Sequence, residues 1–275
     1  MDLTTVTEVR TGPELPVWQP GDAWLAGGTW LFSQPQPDVV RLLDLTTLGW
    51  PALSVDVDGL EIGATCTVAE LAGFDPPPHW AAAPLIGQCC RAFLASFKIW
   101  NVATVGGNLC AGLPAGPMIS LAAALDASCT IWSADGSISR LPVADFVVGA
   151  GETVLGSAFP AGALLRSIHL PGAALRSPTA FRQASLRTLG RSAAVVIGRR
   201  DPDRLVLTIT ASTVRPVVIS CPARPDAAQL RAAIEDALPP ELYHDDEHGD
   251  PDWRHHLTLR LAEEIRIELA ATGVR

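Results

Sequence analysis

Two glycine pairs are the residues of this chain best suited to hold a ligand. The first pair lies in Ala26-Gly27-Gly28-Thr29-Trp30-Leu31, and the second lies in Ala103-Thr104-Val105-Gly106-Gly107-Asn108-Leu109. Adjacent glycines let the backbone bend and let a ligand approach the main chain closely. Successive N–H groups in such turns form a concavity that binds anions, and each threonine adds a hydroxyl donor. Alone, each pair also fits an ordinary tight turn. Together, the two loops predict a pyrophosphate clamped from both sides.

Neither loop has the spacing of a common nucleotide motif. The patterns Gly-x-Gly-x-x-Gly and Gly-x-x-x-x-Gly-Lys-[Ser/Thr] are both missing, which disfavours a Rossmann domain and a P-loop. A dinucleotide can nevertheless bind without lysine, because each charge-assisted N–H bond contributes about 1.5–3 kcal/mol. The segment Pro114-Ala115-Gly116-Pro117 is small and rigid, so a flat ligand could lie against it.

The remaining reactive side chains have simpler interpretations. His244 and His248 are four residues apart with carboxylates between them, but Gly249 and Pro251 break the segment, so we expect a solvated acidic loop and no metal site. Cys110 follows the second glycine loop, where covalent attachment to a cofactor and simple core packing are both open. The six cysteines form no Cys-x-x-Cys pair, which predicts free thiols and no iron–sulfur cluster in this chain.

The chain shows no acid–base constellation, neither a Ser/His/Asp or Cys/His arrangement nor a paired-carboxylate motif. That pattern favours a protein whose chemistry belongs to a bound cofactor. The sequence therefore predicts cofactor-binding residues and no catalytic side chain.

Composition limits the possible partners. The 275 residues carry a formal net charge of −9 and 48% are hydrophobic, which allows a large core and argues against a nucleic-acid partner. The first residues have neither a basic start nor an apolar core, and the longest apolar stretch, 118–132, is too short to span a bilayer and contains Asp126. We therefore expect no signal peptide, no membrane span and a cytoplasmic location.

The elements that must position these loops mix strands and helices irregularly, which favours the α+β class over a doubly wound sheet. Thr67 and Glu70 predict a capping box at the start of a helix. Residues 171–178 have the composition of a linker or turn region. Strands are expected at Trp24–Ala26, Val39–Leu45, Leu60–Ala64, Ser128–Trp132, Ser137–Pro142, Leu164–Leu170, Phe181–Ser185, Ala193–Ile197 and Leu205–Ala211. Helices are expected at Thr67–Leu71, Leu85–Ser96, Ile119–Asp126, Ala227–Leu238 and Leu257–Leu269.

The combination of motifs resembles the FAD-binding (medium) subunits of molybdenum hydroxylases, of the xanthine dehydrogenase and carbon monoxide dehydrogenase type. The most specific part is Asn101-Val102-Ala103-Thr104-Val105-Gly106-Gly107-Asn108-Leu109, some 75 residues after Ala26-Gly27-Gly28-Thr29. Pro114-Ala115-Gly116, Phe181-Arg182-Gln183-Ala184 and the segment 249–257 resemble further family motifs. The resemblance extends over nearly the whole chain.

The resemblance implies a two-subdomain FAD-binding domain of the vanillyl-alcohol-oxidase (PCMH) type. That domain would occupy residues 1–175, with subdomains of about 1–55 and 56–175, and a small α+β domain with a three-stranded sheet would follow at 176–275. Carried over residue by residue, the resemblance predicts cofactor contacts at Leu25, Ala26, Gly27, Gly28, Thr29, Trp30, Leu31, Ala103, Thr104, Gly106, Gly107, Asn108, Ala115, Gly116, Leu164 and Arg182. Arg182 would approach the isoalloxazine ring.

Four positions depart from the family pattern. Trp30 stands where a small or polar residue is usual, and Trp100 stands where an arginine is frequent. Pro117 replaces an aspartate that often bonds the cofactor, and Arg182 replaces a lysine. Trp30 could stack on a ring of the cofactor or block it.

The resemblance implies an electron-transfer subunit of a molybdenum-containing hydroxylase or dehydrogenase, an oxidoreductase that is not a complete catalyst alone. FAD would be its cofactor, and its partners in a hetero-oligomer would be a small subunit with [2Fe-2S] clusters and a large molybdopterin subunit. Electrons would pass from the clusters through FAD to an external acceptor. Two alternatives remain: a stand-alone flavin oxidoreductase of the same fold, and a flavin-free assembly subunit.

Overall fold

The computed structural model describes residues 3–271, which form four β-sheets and ten α-helices. Residues 1, 2 and 272–275, at the outer ends of the two expected domains, lie outside the described residues. The strands are β1 (Glu8–Arg10), β2 (Asp22–Leu25), β3 (Arg41–Asp44), β4 (Leu53–Val55), β5 (Gly59–Gly63), β6 (Ser128–Trp132), β7 (Ile138–Pro142), β8 (Val147–Gly149), β9 (Glu152–Thr153), β10 (Leu164–Pro171), β11 (Thr179–Ser185), β12 (Ser192–Arg200), β13 (Arg204–Thr210) and β14 (Val217–Pro222). The helices are α1 (Val68–Ala72), α2 (Ala83–Ala92), α3 (Phe97–Trp100), α4 (Val105–Cys110), α5 (Pro117–Ala124), α6 (Val143–Phe146), α7 (Val154–Ser157), α8 (Gly172–Arg176), α9 (Ala227–Ala237) and α10 (Pro251–Ala271).

The first two sheets lie in the half of the molecule that contains both glycine segments. A small parallel sheet has the order β1-β3-β2, and a five-stranded sheet has the order β4-β5-β10-β6-β7 with antiparallel neighbours. One face of the five-stranded sheet is apolar and fully buried, with Leu60, Ile62, Cys129, Ile131 and Ile168 each at most 1% exposed. This alternation of inward apolar and outward polar residues is the period-2 pattern expected of a half-buried sheet.

A buried apolar helix joins the two halves. Every residue of α5 is buried, and the helix packs against α2 and α4 on one side and against β12 and β13 on the other. A helix that is apolar all round has to be enclosed in this way. Ser120 of α5 crosses to the second half, with its Oγ 2.7 Å from Thr210 Oγ1.

The second half is an antiparallel sheet of order β11-β12-β13-β14 covered by α9 and α10. Its own core contains Ala193, Val196, Leu207 and Ile209 with Leu261 and Ile265 of α10. The three-stranded sheet implied for this region is wrong, because β14 adds a fourth, edge strand. The residues of β14, Val217 to Pro222, alternate between buried and exposed, as a strand with one buried face requires. The prolines on both sides hide this alternation in the sequence, because proline is disfavoured within a sheet.

Most of the expected elements lie where the sequence predicts them. The capping box is confirmed: Thr67 Oγ1 accepts from Glu70 N–H, and the Glu70 carboxylate accepts from Thr67 N–H. The helix expected over Leu85–Ser96 ends earlier, at Ala92. The segment 171–178 is not a plain linker, because it contains the short helix α8. The α+β class is confirmed.

No helix among the described residues is long and apolar enough to cross a bilayer. The predicted domain boundary near residue 175 falls within α8 and stays a proposal. The first core cluster extends across it, because it includes Val195, Ile197 and Ala211 of the second half.

Candidate functional site

The first glycine loop follows β2 and is held against the second loop by a close backbone contact. A Cβ on Gly27 would lie 1.8 Å from the Val102 carbonyl oxygen, so only glycine allows the two segments to touch. Gly28 has a φ of +68°, in the left-handed region that favours glycine. The two glycines therefore have separate structural reasons: the first permits contact between the loops, and the second permits the turn.

The first loop leaves a row of N–H groups open. Among the described residues, none accepts a hydrogen bond from the backbone N–H of Gly27, Gly28, Thr29 or Trp30. Buried backbone N–H groups are nearly always paired in folded proteins, so consecutive unpaired groups at a cavity wall point to a ligand or to solvent. Consecutive N–H groups of this kind form an anion-binding concavity.

The second glycine segment is not an open loop, because its residues form the first turns of α4. Thr104 is the N-cap, and its Oγ1 accepts from Gly107 N–H at 3.0 Å. The N–H groups of Val105, Gly106 and Asn108 donate to Cys66 O, Ala64 O and Thr104 O at 2.8, 3.0 and 3.0 Å. All four N–H groups are thus satisfied within the protein. The expectation of a clamp with backbone donors on both sides is wrong in this respect.

The second segment can contact a ligand through side-chain donors and through the open surface beside Gly107. Thr104 Oγ1 still has its hydroxyl hydrogen to donate, and the Asn108 amide nitrogen donates to no described residue. A Cβ on Gly107 would meet only Thr104 Oγ1 within 4 Å, at 2.8 Å, so this glycine otherwise faces free space. Gly106 differs, since its Cβ would lie 2.6 Å from the Ala64 carbonyl oxygen.

The segment Pro114-Ala115-Gly116-Pro117 supports the second glycine segment from behind. Asn108 Oδ1 accepts from Met118 N–H at 3.1 Å, which caps the first turn of α5. Pro117 is the first residue of this helix, a position where proline costs no hydrogen bond. Ala115 and Gly116 do not line the cavity.

The two segments face each other across one cavity of about 590 Å³. This volume lies within the range of about 300–1,000 Å³ typical of small-molecule and cofactor sites. Every lining residue is uncharged, and most are apolar. Of the predicted contacts, the cavity walls contain Ala26, Gly27, Gly28, Thr29, Trp30, Leu31, Ala103, Thr104, Gly106, Gly107, Asn108 and Leu164. The residues that sequence reasoning did not assign to this site are Trp24, Leu45, Ala64, Phe93, Ile99, Ala111, Leu113, Leu155, Ala163 and Leu165.

These additional wall residues come from distant parts of the chain. Trp24 precedes the first loop and its indole N–H donates to Gly162 O at 3.2 Å, 138 residues away. Leu155 and Leu165 enter from α7 and β10. No local pattern marks such apolar residues as a binding surface, because core packing has the same signature.

Besides Ala115 and Gly116, two further predicted contacts lie outside the cavity walls. Leu25 ends β2 beside the first loop and does not line the cavity. Arg182 lies on β11, where its Nε contacts Glu264 at 3.0 Å and its Nη2 contacts Glu268 at 2.6 Å on α10. The structure brings Arg182 to this ion pair and not to the cavity, so geometry lends no support to an isoalloxazine contact.

The two unusual tryptophans have different environments. Trp30 lines the cavity and is 46% exposed, so its ring stands at the opening. Trp100 points away, and its indole N–H donates to Phe93 O at 3.0 Å, which holds the segment between α2 and α3.

Cys110 at the end of α4 also lines the cavity and is the one exposed cysteine of the six. Desolvation by the surrounding protein raises the pKa of its thiol to about 12. A thiol that stays protonated at neutral pH is a weak nucleophile, which disfavours covalent attachment of a cofactor.

The acidic loop at 244–249 is tied to a buried arginine. The Arg254 side chain is 1% exposed, contacts the Asp246 carboxylate and donates to Ala193 O at 2.6 Å. Asp246 thus has a structural partner. Asp246, Glu247 and His248 could bring one ligand atom each to a common point, and of these three residues only Glu247 is exposed.

Comparisons with known proteins agree with the fold and identify the family of the chain. Residues 14–173, more than half of the chain, match the family model described as the FAD binding domain in molybdopterin dehydrogenase. Xanthine dehydrogenases 1 and 2 of Arabidopsis thaliana are each 30% identical over 132 residues, which cover 44% of this chain. The match covers only 9% of the length of these two relatives.

Solved structures resemble the whole chain. Quinoline 2-oxidoreductase from Pseudomonas putida 86 has a chain that superposes with a TM-score of 0.80 at 19% identity, over 100% of both chains. A chain of CO dehydrogenase from Oligotropha carboxidovorans gives 0.74 at 20% identity, over 90% of both chains. One from the Hydrogenophaga pseudoflava carbon monoxide dehydrogenase gives 0.77 at 18%, over 97% of this chain and 98% of that one. At these identities the likeness concerns the fold.

Proposed function

Because the chain belongs to the family of FAD-binding domains of molybdopterin dehydrogenases, we propose that its cavity holds FAD and that it acts as the flavin-binding subunit of an oxidoreductase. One observation carries the assignment of the site. The unpaired N–H groups of the first glycine loop face an uncharged cavity of cofactor size. A pyrophosphate needs such donors, and the walls offer no cation to replace them.

The donor arrangement supports a pyrophosphate site at the first loop. Gly27, Gly28 and Thr29 would donate their N–H groups to its oxygens, and the Thr104 hydroxyl and the Asn108 amide would reach the ligand from the opposite wall. Each bond to a charged oxygen contributes about 1.5–3 kcal/mol. The apolar walls, which include Leu164 and Leu165, would pack against the flat parts of the ligand and exclude water.

When bound, FAD supplies the redox chemistry, and the protein supplies binding, orientation and the electrostatic environment. The wall residues contain no histidine, carboxylate or lysine, so nothing at this site is suited to move a substrate proton. That supports a subunit that handles electrons and leaves substrate chemistry to another polypeptide.

We propose that the other polypeptides are a small subunit with [2Fe-2S] clusters and a large molybdopterin subunit, in a hetero-oligomer that delivers electrons to an external acceptor. Exposed apolar side chains beside the cavity support a protein partner there. Phe97 is 72% exposed, Leu94 46%, Val102 44% and Phe32 41%. A partner that covers these side chains would remove their apolar surface from water.

The test is spectroscopic. The purified full-length chain, alone and with added FAD, is passed through gel filtration and its visible absorbance is recorded. Retained flavin bands that release FAD on denaturation would support the proposal. If the chain stays colourless, the measurement is repeated on the chain co-expressed with the two partner subunits. A colourless chain within an assembled complex would refute FAD binding and favour an assembly role.

A further inference from the structure

The outer face of the five-stranded sheet carries an unusual arginine. Strand β10 pairs with β6 through a register shift between Leu165 and Ser167, so Arg166 is the extra residue of a β-bulge. Bulges re-aim the side chain of the inserted residue. Leu165 lines the cofactor cavity on one face of the strand, whereas Arg166 lines a separate pocket on the opposite face.

Two tryptophans hold the guanidinium of Arg166. Its Cζ lies 4.2 Å from the centroid of the Trp50 ring and 5.4 Å from that of Trp132. The two indoles contact each other edge to face, with centroids 5.7 Å apart. Cation–π contacts with two rings fix the position of the guanidinium plane.

The same arginine has no directly bonded anion, although the charge of Glu61 acts on it through space. Its Nε is buried without a hydrogen bond, and no ion pair joins its guanidinium to any carboxylate of the described residues. Desolvation lowers the pKa of Arg166. A cation taken out of water normally has a paired anion, because desolvation without a partner is costly.

The pocket in front of Arg166 has a volume of about 280 Å³. Its walls contain Ser54, Thr130 and Ser167 and a second cation, Arg140, whose guanidinium has no hydrogen bond or ion pair with the described residues. Glu61, the one carboxylate in the walls, contacts His169 Nδ1 at 3.2 Å. The pocket therefore has two guanidinium groups and one carboxylate, which contacts His169 and whose charge also acts on Arg166.

We propose that this pocket binds a carboxylate side chain of another polypeptide. The planar guanidinium of an arginine can donate two parallel hydrogen bonds to one carboxylate, and Arg140 would add a second positive charge. The pocket is smaller than the range of about 300–1,000 Å³ usual for whole small molecules, which favours a single inserted side chain. Tryptophan and arginine are also the residues enriched at protein–protein contacts, and Ile138 at the rim is 63% exposed.

The experiment follows the indole N–H resonances of Trp50 and Trp132 in the isotope-labelled full-length chain during titrations. The probes are acetyl-glutamate amide, its uncharged match acetyl-glutamine amide, and inorganic phosphate. We expect saturable shifts of both indoles with the glutamate probe, with half-saturation on the order of 10 mM for one charge-assisted pair. The glutamine probe should bind at least fivefold more weakly.

Variants separate the proposed site from a purely structural arginine. Arg166→Met keeps an apolar stem between the two rings and should abolish the shifts, and Arg166→Lys should weaken binding severalfold. Glu61→Gln removes a competing charge and should tighten binding. The matched control Arg231→Met, on exposed α9, should change nothing.

Three results would overturn the proposal. Phosphate binding more tightly than the glutamate probe would mean an inorganic anion site. Unchanged shifts in Arg166→Met would place the probe elsewhere. Absence of binding, together with a lower unfolding temperature in Glu61→Gln, would identify Glu61 as the partner of Arg166 within the chain.

Discussion

At the scale of single residues, the four glycines of the two motifs have different structural roles, although the sequence shows two identical Gly-Gly pairs. Gly27 and Gly106 face other backbone segments, and Gly28 has a left-handed conformation. All four glycines line the cavity, but Gly107 is the one whose added Cβ would meet only the N-cap hydroxyl of Thr104. Substitutions at these positions should therefore fail for different physical reasons.

The pair Gly106→Ala and Gly107→Ala tests that distinction. In Gly106→Ala the new methyl group overlaps the Ala64 backbone, so the free energy of unfolding should fall by about 1–3 kcal/mol. In Gly107→Ala it disturbs only the Thr104 cap, at a cost of about 1 kcal/mol, and projects into the cavity. Urea unfolding of the apo chains measures the loss of stability, and FAD titration measures the loss of affinity. We expect Gly107→Ala to raise the FAD dissociation constant at least tenfold, and full affinity in that variant would contradict the assigned site.

Cys110 gives an independent test of where the ligand lies. It is the one exposed cysteine, and its pKa of about 12 predicts slow alkylation at neutral pH that accelerates as the pH rises. Iodoacetamide followed by mass spectrometry should label this cysteine in the apo chain and leave the other five unlabelled. Saturating FAD should protect it. Equal labelling rates with and without FAD would mean that the cofactor does not occupy this cavity.

At the scale of elements, local sequence signals predict most of the fold. The Thr67 capping box is a local signal and is confirmed, and the strands expected at Ser128–Trp132 and Ser137–Pro142 correspond to β6 and β7. The helical start at Val105 was not predicted, because glycines are poor helix formers and the Thr104 cap compensates for them. Likewise, the pairing of Arg182 with Glu264 and Glu268 joins residues more than 80 positions apart, which no local pattern reveals.

The candidate site likewise has one part that the sequence predicts and another part that it does not. Both glycine segments are visible in the sequence because their backbone geometry requires particular residues. The apolar walls, such as Leu155 and Phe93, are not visible, since their side chains resemble any other core residue.

The link between α5 and β12 should make stability sensitive to acid. Arg199 is buried, donates to Ala124 O at 2.7 Å, and its Nε contacts Asp201 at 2.9 Å. Burial alone would raise the pKa of Asp201, but hydrogen bonds from Arg199 and Ser177 lower it below the ordinary value of 3.8. The carboxylate therefore contributes stability that is present above pH 3.8 and is lost as the pH falls through the lower folded-state pKa.

Asp201→Asn checks this prediction. The variant should lose about 2 kcal/mol at pH 7, because Arg199 loses a charged acceptor. Its difference from the wild type should shrink as the pH falls below 3.8. Thermal unfolding over a pH series measures both, and a difference that stayed constant down to pH 2 would contradict the assignment.

At the scale of the whole molecule, the two halves share buried contacts that should couple their unfolding. Besides Arg199, the pair Ser120–Thr210 and the bond from Ala211 N–H to Pro114 O, at 2.8 Å, connect the cofactor side to the second sheet. We propose domains at 1–175 and 176–275, with an interface that makes them one cooperative unit. Ligand binding in the first half should then stabilise the second half as well.

Hydrogen exchange with and without FAD tests this coupling. At a free concentration of 100 times the dissociation constant, FAD stabilises the folded chain by about 2.7 kcal/mol. If global unfolding exposes both halves together, the slowest amides of β13 and α10 should gain the same protection as those of β5 and β10. Arg199→Met, which removes the polar link at α5, should reduce the gain in β13 and α10 and leave it unchanged in β5 and β10. Protection confined to the first half in the wild type would instead establish two domains that unfold separately, joined by contacts too weak to transmit the binding energy.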